Sequence, residues 1–275
     1  MRMKEEKISI NSDYKTNIGM DETNMEVNKT SEKEVRALTD NEEQQKLRKK
    51  IEDFIKVLGG SFVGFSNLEE NLPASLKKYP YVITFGIRLS DAIIDEIEDK
   101  PTYTYFNHYR TVNTLIDQIG LRTALFIQEM GYKAYTVPAS QTIPDAPVPY
   151  SAVFPHKTGA VVSGMGWIGK NGLFIHKDFG PRVRLGTVLT NLQLTEKQPD
   201  YKSGIMESKC GTCNKCVQAC PAMALTGKTW HIGMEREEIV DAKACSEYMN
   251  KNFKHIGRGS VCGICIKVCP FSSAL

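Results

Sequence analysis

The first 209 residues of this 275-residue chain contain no cysteine; all eight lie between positions 210 and 269. A disulfide framework spread over the chain is therefore excluded, and what the cysteines do, they do together. Long apolar runs are missing as well. No stretch approaches the ~18 residues of a membrane helix, and the first 30 residues hold no apolar core of a secretory leader. Thiols are expected to stay reduced in such a chain, which places it in the cytoplasm. Charge of one sign is scarce: a formal net charge of +3 and a pI near 8.3 argue against nucleic acid as the main partner. Aromatic residues are rare at the beginning, where the first 50 positions carry 11 basic and 11 acidic side chains and one aromatic, Tyr14. So little apolar area does not offset the entropy of ordering, and residues 1–40 read as a polar extension.

The cysteines that are present are closely patterned. Cys210, Cys213, Cys216 and Cys220 follow one another at x2, x2 and x3 spacing with Pro221 next, and Cys262, Cys265 and Cys269 end on Pro270, with Cys245 between the two runs. This is the ligand spacing of two 4Fe-4S clusters. Three thiolates two residues apart converge from one tight loop, whereas a fourth, three residues further on, points away to the neighbouring cluster. The expected sets are Cys210, Cys213, Cys216 and Cys269 for one cluster, and Cys262, Cys265, Cys245 and Cys220 for the other. Structural zinc accounts for pairs of Cys-x2-Cys, but not for the third close cysteine or the Cys-Pro ends.

The length allows one sizeable core and a small module. Residues 41–200 are expected to form an α+β domain and residues 201–275 a ferredoxin-like domain with the clusters. Leu47, Ile51, Phe54, Ile55 and Leu58 recur at helical spacing before Gly59-Gly60. Ser61–Phe65 and Tyr81–Ile87 read as strands. Asp91–Asp99 reads as a helix with a charged outer face. A long helix is expected over His108–Met130, closed by Gly131, then a strand over Tyr132–Val137 and an irregular proline-rich loop over 138–150. Strands are also expected at Leu173–Ile175 and Val183–Thr190. Between them and the loop lies Ser163-Gly-Met-Gly-Trp167-Ile-Gly-Lys170-Asn171-Gly172. Its glycines either let the backbone approach a bulky ligand or serve turns between strands. The order of elements is not that of a dinucleotide-binding fingerprint, because the glycines precede the apolar strand.

Gly-Met-Gly-Trp-Ile-Gly-Lys-Asn, the Arg184-Leu-Gly-Thr-Val-Leu-Thr190 strand and the two cluster motifs, in this order, resemble the epoxyqueuosine reductases and their paralogues, the double-cluster 4Fe-4S proteins. The resemblance runs from about Gly59 to Pro270, and Tyr109 matches a tyrosine of the family pattern. It implies a fold related to flavin nitroreductases and cobalamin-processing proteins, joined to a ferredoxin-like module as in reductive dehalogenases. It also implies a base-off cobalamin between the two domains, with Gly166, Trp167, Ile168, Gly169 and Lys170 against the corrinoid. Arg182 or Arg184 is a further candidate contact, and Arg184 the one retained. Flavin is the weaker alternative, since fold relatives bind it. The expected activity is that of an iron-sulfur oxidoreductase fed by a low-potential donor such as a flavodoxin or ferredoxin. The alternative is a non-catalytic electron carrier or corrinoid reactivator.

Two departures bear on the reaction. Where the family places its catalytic aspartate, this chain has Val137-Pro138-Ala139-Ser140, with no carboxylate. Asp145 in the same loop is the candidate substitute and Tyr109 the second candidate acid. His108 and His156 are weaker candidates, and His156 has no partner visible in the sequence. Family members carry C-terminal repeats that help hold tRNA, and none follow Pro270 here, so tRNA is not an expected partner.

Overall fold

A computed structural model describes residues 41–141, 143, 149–195, 205–257 and 261–273. The polar extension 1–40 and Asp145 lie outside the described residues. Residues Gln44–Leu275 form one compact unit.

The frame is a four-stranded antiparallel sheet in the order β1-β2-β6-β3, with β1 Phe62–Asn67, β2 Tyr81–Arg88, β3 Ala134–Val137 and β6 Val183–Thr190. The two inner strands, β2 and β6, are buried along nearly their whole length, because helices cover both sides. On one side lie α1 (residues 41–57) and α3 (Tyr103–Glu129), joined by the stacked rings of Phe54 and Phe126 at 4.6 Å. On the other lies α4 (His156–Val162), whose Gly159 sits so close to the sheet that a Cβ there would fall 2.2 Å from Thr84 Oγ1. In the register Phe85 faces Gly186. The Phe85 ring lies over that glycine, and an added Cβ would stand 2.4 Å from Phe85 Cζ and 2.7 Å from Ile116 Cγ2 of α3.

Several boundaries differ from the sequence reading. The long helix starts at Tyr103 rather than His108, since the Thr102 hydroxyl accepts the Tyr105 N–H at 3.0 Å and caps it there. It ends as expected at Gly131, whose φ of +87° is the left-handed stop that suits glycine. Helix α2 covers only Asp91–Asp95 instead of reaching Asp99. Its continuation tightens, with the Ile97 N–H on the Ile94 carbonyl, and carries Ile97 into the core. The glycine-rich stretch is not all loop. Gly166–Ile168 form strand β4, paired with β5 (Phe174–His176) in a separate two-stranded sheet.

Among the described residues the cysteine-bearing segment has three α-helices, α5 (Lys215–Gln218), α6 (Ala242–Phe253) and α7 (Ile264–Lys267). Val261 and Ile264 belong to the same apolar core as Ile94, Ile97, Tyr105 and Ile116. Gly263 caps α7 at φ +82°, and a Cβ there would stand 2.7 Å from Ile97 Cδ1 and 2.8 Å from Tyr105 Cε1. Only glycine meets both demands. A charged contact reinforces the seam: Asp95 Oδ1 accepts from Arg182 Nη2 at 2.7 Å and from Lys267 Nζ at 2.8 Å. These two hydrogen bonds hold the Asp95 carboxyl down at about 2.

Gly186→Val is expected to lower stability by about 2 kcal/mol through overpacking against Phe85 and Ile116. Urea unfolding checks this, and an unchanged midpoint would contradict the assigned register.

Candidate iron-sulfur centre and adjoining cleft

The eight cysteines are all free thiols and are buried or half-buried. Burial pushes Cys262 and Cys269 up to about 11 and Cys265 higher still; Cys216 and Cys245 move in the same direction. After burial, the strongest influences include the neighbouring thiols, and these sort the cysteines into two rings. Cys216 and Cys269 each feel Cys210 and Cys213, whereas Cys262 feels Cys245 and Cys220. Cys265 feels Cys262, Cys245 and Cys220, and also Cys216 of the other ring, so the rings adjoin. Cys210, Cys213, Cys216 and Cys269 line one cavity. Among the described residues no three Cys, His, Asp or Glu side chains converge on a single metal ion. Thiols placed around a void, each free to meet its own iron, are what a cubane needs.

The glycine-rich segment forms the wall of that cavity. Gly169, Lys170 and Asn171 line it together with Ile175, Pro270 and Phe271. Lys170 is buried and its Nζ donates to Asn214 Oδ1, next to Cys213, at 3.1 Å. Asn171 Nδ2 donates to the Cys265 carbonyl at 3.3 Å. Trp167 is enclosed, with its ring edge-on to Phe271 at 5.1 Å and Lys209 Nζ 5.5 Å from its centroid. The space kept free by the glycines belongs to protein atoms. A Cβ at Gly166 would meet the Ile175 carbonyl at 2.0 Å, one at Gly169 the Asn171 Oδ1 at 2.7 Å, and one at Gly172 the Val240 Cγ1 at 2.9 Å. These contacts show the glycines closely packed within the chain.

Behind this wall is a cleft of about 600 Å³. Ile168 and Gly172 border it, as do Val161, Val162 and Lys157 of α4 and the stretch from Trp230 to Val240 between the cysteine runs. Residues 168–172 thus border both the thiol ring and the cleft. Lys157 Nζ donates to the Gly172 carbonyl at 2.6 Å, and burial, then the nearby Arg236, lowers its pKa. Neither Lys157 nor the 230–240 wall carries a recognisable motif, and sequence reasoning missed both.

Tyr109 and Arg184 are not in the cleft lining. They meet on the α3 side of the sheet, where Arg184 Nη2 donates to the Tyr109 hydroxyl at 3.2 Å, stands over its ring at 4.3 Å, and bonds Asn113 through Nε at 3.0 Å. Burial raises the Tyr109 pKa, but the Arg184 charge and hydrogen bonds with Ser140, Asn113 and Arg184 outweigh it, and the net pKa lies below the usual tyrosine value. Tyr105, one turn earlier and edge-on to Tyr109 at 6.5 Å, faces Cys262 and Cys265. Arg182 is buried and paired with Asp91 and Asp95, so its charge is spent within the protein. His156 is not a surface residue without partners. Its Nε2–H donates to the Pro138 carbonyl at 3.0 Å, which leaves Nδ1 to accept from the Thr187 hydroxyl at 2.8 Å. His108 accepts the Ser90 N–H through Nε2.

Residues 209–272 match the family model of the 4Fe-4S double cluster binding domain. The chain carries this domain. Over 129 residues it is 36% identical to an epoxyqueuosine reductase of Atelocyanobacterium thalassa, covering 42% of this chain and 37% of that protein. Over 154 residues it is 34% identical to a tetrachloroethene reductive dehalogenase of Sulfurospirillum multivorans, covering 54% and 27%. The chain therefore spans roughly a quarter to two fifths of the length of these relatives. Among solved structures, a catabolic reductive dehalogenase in complex with 3-bromo-4-hydroxybenzoic acid superposes with a TM-score of 0.58 at 20% identity, over 79% of this chain and 31% of that one. An epoxyqueuosine reductase with a tRNA-Tyr stem loop gives 0.54 at 16% identity, over 83% and 66%. Both likenesses establish a shared α+β fold with the double-cluster domain at its C-terminal side. Among the described residues no helix is long and apolar enough to cross a membrane.

In the double-cluster domain, Cys269→Ser is expected to damage the cluster held by Cys210, Cys213 and Cys216 and to spare the other. Electron paramagnetic resonance of the reduced protein reads this as loss of one signal; loss of the signal belonging to the Cys262–Cys265 ring instead would contradict the crossover.

A second expectation concerns pH. Burial lowers the His156 pKa to about 4, below the unfolded value near 6.5. A base whose folded pKa is depressed stabilises the fold fully above its unfolded pKa and loses that contribution as pH falls toward the folded one. Between pH 7 and pH 5 the loss from His156 is about 2 kcal/mol, and His176, lowered to about 4 by burial, adds to it. His156→Gln should flatten this slope in anaerobic urea titrations; an unchanged slope would show that His156 titrates normally.

Proposed function

We propose that this protein is an iron-sulfur reductase that delivers electrons one at a time from its two clusters to a corrinoid in the cleft beside the thiol ring. One observation carries the reading: consecutive residues of one segment line both spaces, Gly169, Lys170 and Asn171 the thiol cavity and Ile168 and Gly172 the cleft. Cys210, Cys213, Cys216 and Cys269 would hold the cluster on the side of Gly169 to Asn171, and a corrinoid in the cleft would border the same segment. The resemblance to epoxyqueuosine reductases and reductive dehalogenases supports the same placement.

The cleft fits the flat, largely apolar body of a corrin in part, since its walls are Val161, Val162, Ile168, Ile239 and Val240 with Trp230 beside them. When bound, a corrinoid supplies a low-valent metal centre for reductive elimination or dehalogenation. The residues of this chain do the rest. The cysteine rings hold iron whose potential, within a range of roughly −700 to +450 mV, is set by net charge, hydrogen bonds to sulfur and exposure. The apolar walls exclude water. Tyr109, with its lowered pKa and its bonds to Arg184 and Ser140, is the candidate proton donor on the α3 side of the sheet, outside the cleft lining. In this reading the donor is a low-potential flavodoxin or ferredoxin in the cytoplasm. Epoxyqueuosine in tRNA is not the expected substrate in this reading, because the Val137–Ser140 segment, where the family has its catalytic aspartate, carries no carboxylate.

Cobalamin added to the anaerobic, iron-loaded protein is expected to bind base-off, and the electron paramagnetic resonance of cob(II)alamin reports it through loss of the nitrogen splitting of the lower ligand. A spectrum identical to free cob(II)alamin at saturating protein would favour a carrier that passes electrons to a partner's cofactor.

A further inference from the structure

The charges around the cleft are unevenly neutralised. Arg236 is fully engaged: it donates to the Tyr150 carbonyl at 3.0 Å and the Pro149 carbonyl at 2.9 Å, and pairs with Glu237. Glu235 is spent capping the short turn that follows, accepting the Glu238 N–H, and both Glu235 and Glu237 are exposed at the rim. Lys157 differs. It is half-buried in the wall, and among the described residues its one hydrogen bond is to a backbone carbonyl, that of Gly172. Among the described residues no carboxylate pairs with it. An ammonium has three donors, so two N–H groups are left over beside an apolar surface. A cation held there without a counter-charge is costly, and the lowered pKa caused by burial and by Arg236 is the trace of that cost. An anionic oxygen entering the cleft would relieve it and gain a charge-assisted hydrogen bond.

We infer that Lys157 is the anion-recognising pole of the cleft, and that the natural occupant is an amphipathic molecule with a flat apolar body and one phosphate or carboxylate group placed on Lys157 Nζ. The body lies against Val161, Val162, Ile168, Trp230, Ile239 and Val240. The anion has two possible sources, the phosphodiester of a complete corrinoid or an acidic group on the substrate. The inference rests on the cleft being a ligand site, as in the proposed function, but it does not require that the ligand be a corrinoid.

The experiment compares wild type with Lys157→Met, Lys157→Gln and Lys157→Arg, each checked for unchanged iron and sulfide content. Glutamine keeps a donor for the Gly172 carbonyl while removing the charge, and it serves if the methionine variant loses its clusters. Three probes are titrated: anilinonaphthalene sulfonate, an apolar anion; cobalamin, which has the phosphodiester; and cobinamide, which lacks it. Wild type should bind the sulfonate with blue-shifted fluorescence, Lys157→Met or Lys157→Gln about tenfold more weakly, and Lys157→Arg nearly normally. If cobalamin weakens in parallel while cobinamide does not, the anion is the cofactor's phosphodiester. If the sulfonate alone weakens, the anion belongs to the substrate, and the inference holds. Cobalamin failing to bind wild type, with sulfonate binding still dependent on Lys157, would remove the corrinoid reading and leave this one standing. Equal affinity of wild type and the charge-removing variants for all three probes would overturn it.

Discussion

A loop with three thiols at two-residue intervals can surround only part of a cubane, and the fourth ligand must come from elsewhere. Here Cys269, at the end of the other cysteine run, lines the same cavity as Cys210, Cys213 and Cys216, so this ring is complete only when both runs are held against each other. That requirement explains why the second run is tied so firmly to the rest of the chain. Gly263 lets its first turn press onto Ile97 and Tyr105, Ile264 enters the common core, and Lys267, two residues before Cys269, is bound by Asp95. Asp95 in turn is fixed by Arg182 from the start of β6. The position of a ligand to the first ring is thus set by contacts with the sheet domain.

The same dependence runs in the other direction. The turn between β4 and β5 is shaped by its own glycines, and it presents Lys170 and Asn171 to the cysteine loops rather than to solvent. Because Lys157 reaches over to the Gly172 carbonyl, α4 is attached to this turn as well. Cluster ring, turn and cleft wall are therefore successive layers of one packed structure.

Much of this was legible in the chain. Strand β6 occupies Val183–Thr190 as expected, and the core face of the long helix includes Val112, Ile116 and Ile119. The spacing of the cysteines carries the grouping of the sulfurs, because loop geometry is a local matter. What sequence did not reveal depends on distant partners. Helix α3 starts at Tyr103, ahead of its apolar periodicity, because the Thr102 hydroxyl caps it there. The short strand β4 was hidden by glycines that mark turns in isolation and close packing in context. His156 looked solitary since its partners, Pro138 and Thr187, are 18 and 31 residues away. Lys157 gave no signal, because what sets it apart, a wall formed by residues 230–240 and the missing carboxylate, exists only in three dimensions.

The central claim is that one four-iron cluster sits behind the wall formed by Gly169, Lys170 and Asn171. Diffraction from crystals of the anaerobically prepared protein, recorded on both sides of the iron absorption edge, tests it directly. The account predicts two four-iron clusters in the anomalous map, the one ligated by Cys210, Cys213, Cys216 and Cys269 lying against residues 169–171. Single metal ions at the cysteines, or a cluster ligated entirely by the run from Cys210 to Cys220, would contradict it.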